Sequence, residues 1–265
     1  MVSRLVIGNG GDTVAIAGRK AGTSTPAVSP KQPRDPLIAL AEPRSAVAEA
    51  YRTARTNLQF IALEQTKKTL LVTSAGPGEG KTTTTANLGA TMAMAGSQTL
   101  LVDADLRRPT LHKYFSLSNT IGLTTVLTEK TAPETGIVAT RVANLFVLPS
   151  GPIPPNPAEM LGSRRMGELA DLTKARFDLV LFDAPPVMAA SDALVLARLA
   201  DGVILVVQSG KLPYELIRQA KKQLDDVKAN LLGVLLNSVN VKRDGYYSQY
   251  YCSQYYGYGS RNGDE

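Results

Sequence analysis

Nine residues, Ala75-Gly76-Pro77-Gly78-Glu79-Gly80-Lys81-Thr82-Thr83, gather three glycines, a lysine and two hydroxyls into one run. Residues of these types at this spacing make a phosphate cradle. Glycines let backbone N–H groups turn inward around anionic oxygens, and a helix starting at the end of the run adds partial positive charge. Lys81 can then reach the β and γ phosphates of a nucleotide, and the Thr82 hydroxyl can be offered to Mg²⁺. Against the pattern G-x-x-x-x-G-K-[ST], only the first glycine is missing, with Ala75 in its place. A flexible turn bearing a surface lysine would be the bland alternative. The flanks oppose it, because the apolar run Thr69 to Thr73 precedes the glycines and the small-residue stretch Thr84 to Ala95 follows them.

Three carboxylates stand where such a cradle needs them. Asp103 and Asp105 follow Thr99-Leu100-Leu101-Val102, and Asp183 follows Leu179-Val180-Leu181-Phe182. Taken singly, each aspartate could as well be a helix cap or a turn residue. Three of them at the ends of apolar strands, in a chain with this loop, form a site, because nucleotide-bound Mg²⁺ needs a carboxylate in or near its coordination shell.

Strands must bring these groups together. The runs 69–73, 99–102, 145–149, 178–183, 203–207 and 231–237 alternate with helical stretches that include about 158–174 and 213–228, the pattern of parallel strands joined by crossover helices. The expected fold is α/β, a mostly parallel sheet flanked by helices. In such a sheet, ligands lie beyond the carboxyl ends of the strands, so the aspartates, Lys81 and the terminal Asn237 of the last strand share one edge.

Composition bounds what surrounds the site. The 265 residues are 44% hydrophobic, enough for one large core. The net charge of +6 suits an anionic partner, but the basic residues are scattered and select none. A lone cysteine, Cys252, and a lone histidine, His112, offer neither a disulfide framework nor a transition-metal cluster, which points to a reducing cytoplasm. The longest apolar runs are too short to cross a bilayer, so a membrane contact requires a partner.

Residues 1–40 are broken by Gly8-Asn9-Gly10-Gly11, Gly22-Thr23-Ser24-Thr25-Pro26 and three further prolines up to Pro36, and are expected to form a flexible N-terminal arm. A domain over 41–241 follows. It opens with a helix of about five turns carrying Val47, Ala50, Tyr51, Ala54, Leu58 and Ile61 on one face. On that helix Glu49, Arg52 and Arg55 are three residues apart and form one charged stripe, which spacing alone assigns to an exposed ion pair. The C-terminal tail, 242–265, is different again. Tyr246, Tyr247, Tyr250, Tyr251, Tyr255, Tyr256 and Tyr258 place seven of the ten tyrosines within thirteen residues that hold no Leu, Ile or Val. Without interleaved Lys or Arg, the cluster makes a poor nucleic-acid platform.

Together these features resemble the cytoplasmic kinase component of the bacterial tyrosine kinases that control exopolysaccharide and capsule synthesis. The resemblance covers about residues 36–260. It rests on Pro77-Gly78-Glu79-Gly80-Lys81-Thr82, Leu100-Leu101-Val102-Asp103-Ala104-Asp105-Leu106-Arg107, the strand ending Asp183-Ala184-Pro185-Pro186, Pro155-Asn156-Pro157, Glu49-x-x-Arg52-x-x-Arg55 and the tyrosine tail. It implies a phosphate-loop NTPase of the deviant Walker A type, shared with chromosome-partitioning and cell-division-site ATPases. It also implies Mg·ATP-dependent autophosphorylation of the seven tyrosines, a ring of subunits joined through Glu49, Arg52 and Arg55, and recruitment to the inner face of the plasma membrane by a transmembrane co-polymerase partner. Nucleic acid is not among the implied partners, whereas other protein tyrosines are. Under the same resemblance Asp105 and Asp183 assist Thr82 at the metal and Asp103 takes the tyrosine proton, although sequence does not separate Asp103 from Asp105.

Two other readings use the same loop. A partitioning-type switch ATPase would carry a second lysine at the start of the loop, where this chain has Gly76, and no Lys or Arg lies between Lys68 and Lys81. A nucleotide-gated scaffold would use the tyrosines only to bind partners.

Overall fold

A computed structural model describes residues 2–6, 37–65, 67–129 and 131–239. In chain order the elements are β1 (Val2–Val6), α1 (Ile38–Ala41), α2 (Ala46–Gln65), β2 (Thr69–Ser74), α3 (Lys81–Met94), β3 (Thr99–Asp103), α4 (Leu111–Tyr114) and α5 (Leu123–Thr128). Then come β4 (Val138–Ala139), β5 (Leu145–Leu148), α6 (Pro157–Leu161), α7 (Arg164–Arg176), β6 (Leu179–Asp183), α8 (Asp192–Ala197), β7 (Gly202–Gln208), α9 (Tyr214–Asp226) and β8 (Leu231–Val239).

The strands form one eight-stranded sheet in the order β1-β8-β7-β2-β6-β3-β5-β4. The six inner strands run parallel, and the antiparallel pairings fall at the two edges, β1 on β8 and β4 on β5. Inner strands are buried on both faces, so they must be apolar throughout, and alternation decides which layer each residue meets. Leu70, Val72, Leu101, Leu181, Ile204 and Val206 join the core beneath α2 and α3. Leu71, Leu100, Val102, Val180, Phe182, Leu205 and Val207 join the opposite core beneath α5 to α9. Two layers of helices thus enclose a sheet whose strand ends are fixed from both sides.

Helix α3 sits unusually close to the sheet. A Cβ on Gly89 would stand 2.4 Å from Leu101 Cδ2, so only glycine allows this approach. Threonine and alanine make up most of its other residues, and every residue from Thr84 to Ala93 is buried. The helix that begins at Lys81 is therefore held rigidly against β3, the strand that ends in Asp103.

Several boundaries differ from the sequence reading. Within the expected flexible arm, Val2–Val6 pairs antiparallel with β8 and Ile38–Ala41 is a helical turn, because the edge of β8 leaves backbone groups to be paired. Residues 7–36 lie outside the described residues. The helix expected over 158–174 is two helices, broken at Gly162-Ser163, where the Ser163 side chain accepts the Met166 N–H and starts α7. Strand β8 continues past Asn237 to Val239. The tail 242–265 lies outside the described residues, and with it Tyr246, Tyr247, Tyr250, Tyr251, Tyr255, Tyr256 and Tyr258. Among the described residues no helix is long and apolar enough to cross a membrane.

Candidate active site

The turn between β2 and α3 has the backbone that its glycines foretell. Gly78 and Gly80 adopt φ of +71° and +92°, conformations that side-chain-bearing residues rarely take, and Gly80 forms the N-cap of α3. The turn is braced from within by Glu79. Its side chain is fully buried, its Oε2 accepts the Gly76 N–H at 2.7 Å, and its Oε1 accepts the Gln208 N–H from the end of β7 at 3.1 Å. The Glu79 carboxylate thus ties the turn to the sheet. Asn237 acts from below, donating from Nδ2 to the Glu79 carbonyl at 2.9 Å and filling the space that a Cβ on Gly80 would need. Gly76 is buried, Pro77 and Gly78 face solvent, and Thr83 is half-buried at the first turn of α3.

Asp103 and Asp183 are register partners on adjacent strands, and both are completely buried. Lys81 Nζ donates to Asp105 Oδ2 at 2.7 Å and lies 3.8 Å from Asp183 Oδ1. Burial disfavours its charge, but Asp183 and Asp105 outweigh that, and its pKa lies above the ordinary lysine value. The carboxylates respond in the opposite sense. Burial, reinforced by Asp183, pushes Asp103 well above the usual carboxylate range, and burial likewise raises Asp183. Asp103 Oδ2 accepts the Leu111 N–H at 3.0 Å, whereas Asp103 Oδ1 and Asp183 Oδ2 are buried with no partner among the described residues. Asp105 additionally accepts the Arg108 N–H at 3.1 Å on its second oxygen.

Buried carboxylate oxygens without partners are costly, and those that native structures keep are explained by strain, a catalytic role, or a water or ion that completes them. The donors here are carboxylates and the Thr82 hydroxyl, all oxygen, a set suited to Mg²⁺ and not to soft metals. Among the described residues no three or more His, Cys, Asp or Glu side chains form a metal cage. That also fits Mg²⁺, which is usually held by one or two carboxylates together with substrate phosphates. Thr82, Asp105 and Asp183 are the residues that would hold it.

Two ties around the site were not foreseen. Tyr114 in α4 bonds through its hydroxyl to Thr83 Oγ1 at 2.6 Å, so α4 clamps the phosphate loop at one end and Asp103, through the Leu111 N–H, at the other. Arg107 grips the fully buried Asp192 through two bonds of 2.9 and 3.0 Å, fixing the segment after Asp105 to the start of α8. A tyrosine nine residues past an aspartate carries no sequence signal. Ser191-Asp192 ahead of an apolar run is a helix start, which marks Asp192 but not its partner.

The charged stripe lies in the N-terminal half of α2. Arg52 Nη1 donates to Glu49 Oε2 at 2.6 Å across an exposed i,i+3 pair, and Arg55 is half-buried with an Nε that has no partner among the described residues.

A parallel sheet whose strand ends carry a glycine loop, a lysine and three aspartates defines a phosphate-loop nucleotide-binding protein, and residues 67–236 match the family described as "AAA domain". The chain belongs to the family of bacterial tyrosine-protein kinases. It is 47% identical over 214 residues to tyrosine-protein kinase YwqD of Bacillus subtilis (strain 168), a match covering 81% of this chain and 90% of that one. The kinase domain of Escherichia coli tyrosine kinase ETK superposes with a TM-score of 0.75 at 33% identity, covering 79% of this chain and 82% of that one. The septum site-determining protein MinD of Pyrococcus horikoshii OT3, solved with Mg-ADP, shares the fold at a TM-score of 0.55 and 25% identity, covering 63% of this chain and 68% of that one. The mostly parallel, helix-flanked sheet with a deviant phosphate loop is thus common to the kinases and the MinD-like ATPases.

Proposed function

We propose that this edge transfers the γ-phosphoryl group of Mg·ATP to tyrosines of the chain's own tail, between subunits of a ring, and that the cycle regulates polysaccharide export with a transmembrane co-polymerase. The observation that carries the reading is Asp103. Its buried, unpartnered oxygen lies in a carboxylate whose pKa burial raises well above the usual carboxylate range, near Lys81. A tyrosine hydroxyl, with an ordinary pKa near 10, is a poor nucleophile at neutral pH, and a carboxylate of raised pKa is a better base for it than an ordinary one.

Each residue has one task. The N–H groups of Gly76 to Thr83 orient the phosphates. Lys81 exchanges Asp105 for phosphoryl oxygens and neutralises the charge that accumulates on them. Thr82, Asp105 and Asp183 would hold Mg²⁺, which would supply charge neutralisation at the phosphates. Asp103 Oδ1 accepts the tyrosine proton as the phenol oxygen attacks phosphorus and the bond to the β,γ-bridging oxygen breaks, leaving ADP. Because β8 ends at this edge, a tail leaving it would start beside the site, and a fully extended stretch of ~14 residues could span at most roughly 50 Å, far enough for a neighbouring subunit. The stripe of Glu49, Arg52 and Arg55 forms the contact between neighbours. Each phosphate adds about −1.5 to −2 charges, so loaded tails repel and open the ring.

Incubation with Mg·ATP and the cytoplasmic segment of the membrane partner, followed by phosphotyrosine detection, tests the reading. Phosphate is expected on wild type and, after mixing, on Lys81→Met protein whose tyrosines are intact, when the donor subunit carries Phe at all seven tail positions. Turnover of ATP without phosphotyrosine would instead favour a switch ATPase, and binding without turnover a scaffold. Phosphate on wild type but never on mixed Lys81→Met tails would rule out transfer between subunits.

A further inference from the structure

The sequence offers one lysine at the phosphate loop, and the structure brings a second. Gln208 to Leu212, between β7 and α9, is fastened onto the loop at several points. The Gln208 N–H donates to Glu79 Oε1 at 3.1 Å, and the Ser209 N–H donates to the Asn237 carbonyl at 2.8 Å. Gly210 reverses the chain at φ +68°, and Leu212 packs so tightly on Gly76 that a Cβ there would meet Leu212 Cδ1 at 2.9 Å. Between these anchors stands Lys211, whose Nζ lies 2.7 Å from the position a Cβ on Gly78 would take. Its ammonium therefore sits directly over the middle of the loop, on the solvent-facing side.

The two lysines are in different electrostatic states. Lys81 is held by Asp105 and Asp183, and Asp103 adds a third carboxylate to the same cluster. Lys211 pairs with no carboxylate among the described residues. A polyphosphate approaching Lys81 alone would meet more negative than positive charge. An uncommitted ammonium at the mouth of the loop offsets that excess, and its flexible stem lets it follow the phosphates.

We propose that Lys211 is a second phosphate-binding cation, delivered to the loop from the β7–α9 junction, that sets affinity for the nucleotide polyphosphate without taking part in the transfer step. The proposal rests on the nucleotide-binding reading of the same loop. It differs from the second lysine of partitioning-type ATPases, which arises within the loop, at the position that is Gly76 here.

Titration of the full chain with a fluorescent ATP analogue and Mg²⁺, at low and high salt, tests it on wild type, Lys211→Gln and Lys211→Arg, with Lys81→Met as the reference for a disabled loop. Lys211→Gln should weaken binding about tenfold at low salt, the scale of one charge-assisted hydrogen bond, and Lys211→Arg should restore most of it. The gap between Gln and wild type should narrow as salt rises, because the lysine is exposed. In phosphotyrosine kinetics the loss should fall on KM, with kcat within about twofold of wild type, as expected where an interaction is equally strong in ground and transition states. Equal binding by wild type and Lys211→Gln at low salt overturns the role of Lys211 while leaving the nucleotide site standing. No binding by wild type overturns the nucleotide site and this proposal together.

Discussion

The two ends of the same sheet treat aspartate in opposite ways, half-buried Asp201 at one and fully buried Asp103 and Asp183 at the other. Where β2 and β7 begin, Asp201 accepts the Lys68 and Thr69 N–H groups, both at 2.9 Å, and Lys174 Nζ at 2.6 Å. Burial alone would raise its pKa, but these bonds overcome burial and hold it at about 2. Where β3 and β6 end, Asp103 and Asp183 each keep a buried oxygen without a partner and are raised by burial. Asp201 ties strand starts together and is complete by itself. Asp103 and Asp183 each keep an oxygen that the described residues leave incomplete, and on the proposed reading a phosphate-bound cation and a phenol proton supply the missing contacts. On that reading one end of the sheet serves stability and the other a ligand.

Substitutions that sharpen this contrast begin at the ligand end. Lys81→Met should reduce phosphotyrosine formation by at least about 10²-fold in a Mg·ATP assay while the circular dichroism spectrum stays native, because the lysine acts through charge and not through packing. An unfolded variant, or one with normal phosphotyrosine, would place Lys81 with the structural residues. Asp183→Asn should weaken Mg²⁺-dependent ATP binding by about tenfold or more, the scale of one charge-assisted contact. Titration calorimetry with and without Mg²⁺ checks this, and an unchanged Mg²⁺ dependence would remove Asp183 from the site.

At the other end, Asp201→Asn should cost about 2 kcal/mol at neutral pH, the worth of its depressed pKa. A carboxylate whose folded pKa lies below its unfolded one stabilises fully above the unfolded value. Its contribution then disappears as pH falls through the folded value of about 2. Urea denaturation across that range should therefore show wild type and Asp201→Asn converging in acid, and a constant gap would mean that the carboxylate's charge contributes nothing. The smallest effect belongs to Tyr114→Phe, which removes one hydrogen bond to Thr83 and should cost about 0.5–1.5 kcal/mol. If thermal unfolding shows no loss, α4 does not clamp the loop.

Much of the ligand end was legible in the sequence, because each part has a local signature. A glycine run before a lysine fixes the turn, and an apolar run ending in aspartate fixes a strand end. Alternation of strands and helices then brings those ends to one edge. What escaped depends on contacts between distant residues. Glu79 looked like one more loop residue, yet its carboxylate reaches Gln208, and the grip of Arg107 on Asp192 joins segments 85 positions apart. The strands β1 and β4 escaped because edge strands need only one neighbour and little apolar surface, so Val2–Val6 and Val138–Ala139 carry no clear periodicity. The break at Gly162-Ser163 was hidden by helical residues on both sides, although glycine followed by serine is a stop followed by a start.

The contrast between the two ends is tested most directly by calorimetric melting of nucleotide-free Asp103→Asn and Asp201→Asn beside wild type at neutral pH. Asp103→Asn removes a buried charge whose burial and neighbouring Asp183 outweigh its bond from the Leu111 N–H, so it should melt above wild type, by an amount that vanishes as the pH falls low enough to protonate the carboxylate in both folded and unfolded states. Asp201→Asn removes a charge that the fold satisfies, so it should melt below wild type. Opposite signs are the predicted result, and a loss of stability in both variants would contradict the claim that the sheet keeps Asp103 incomplete for a ligand.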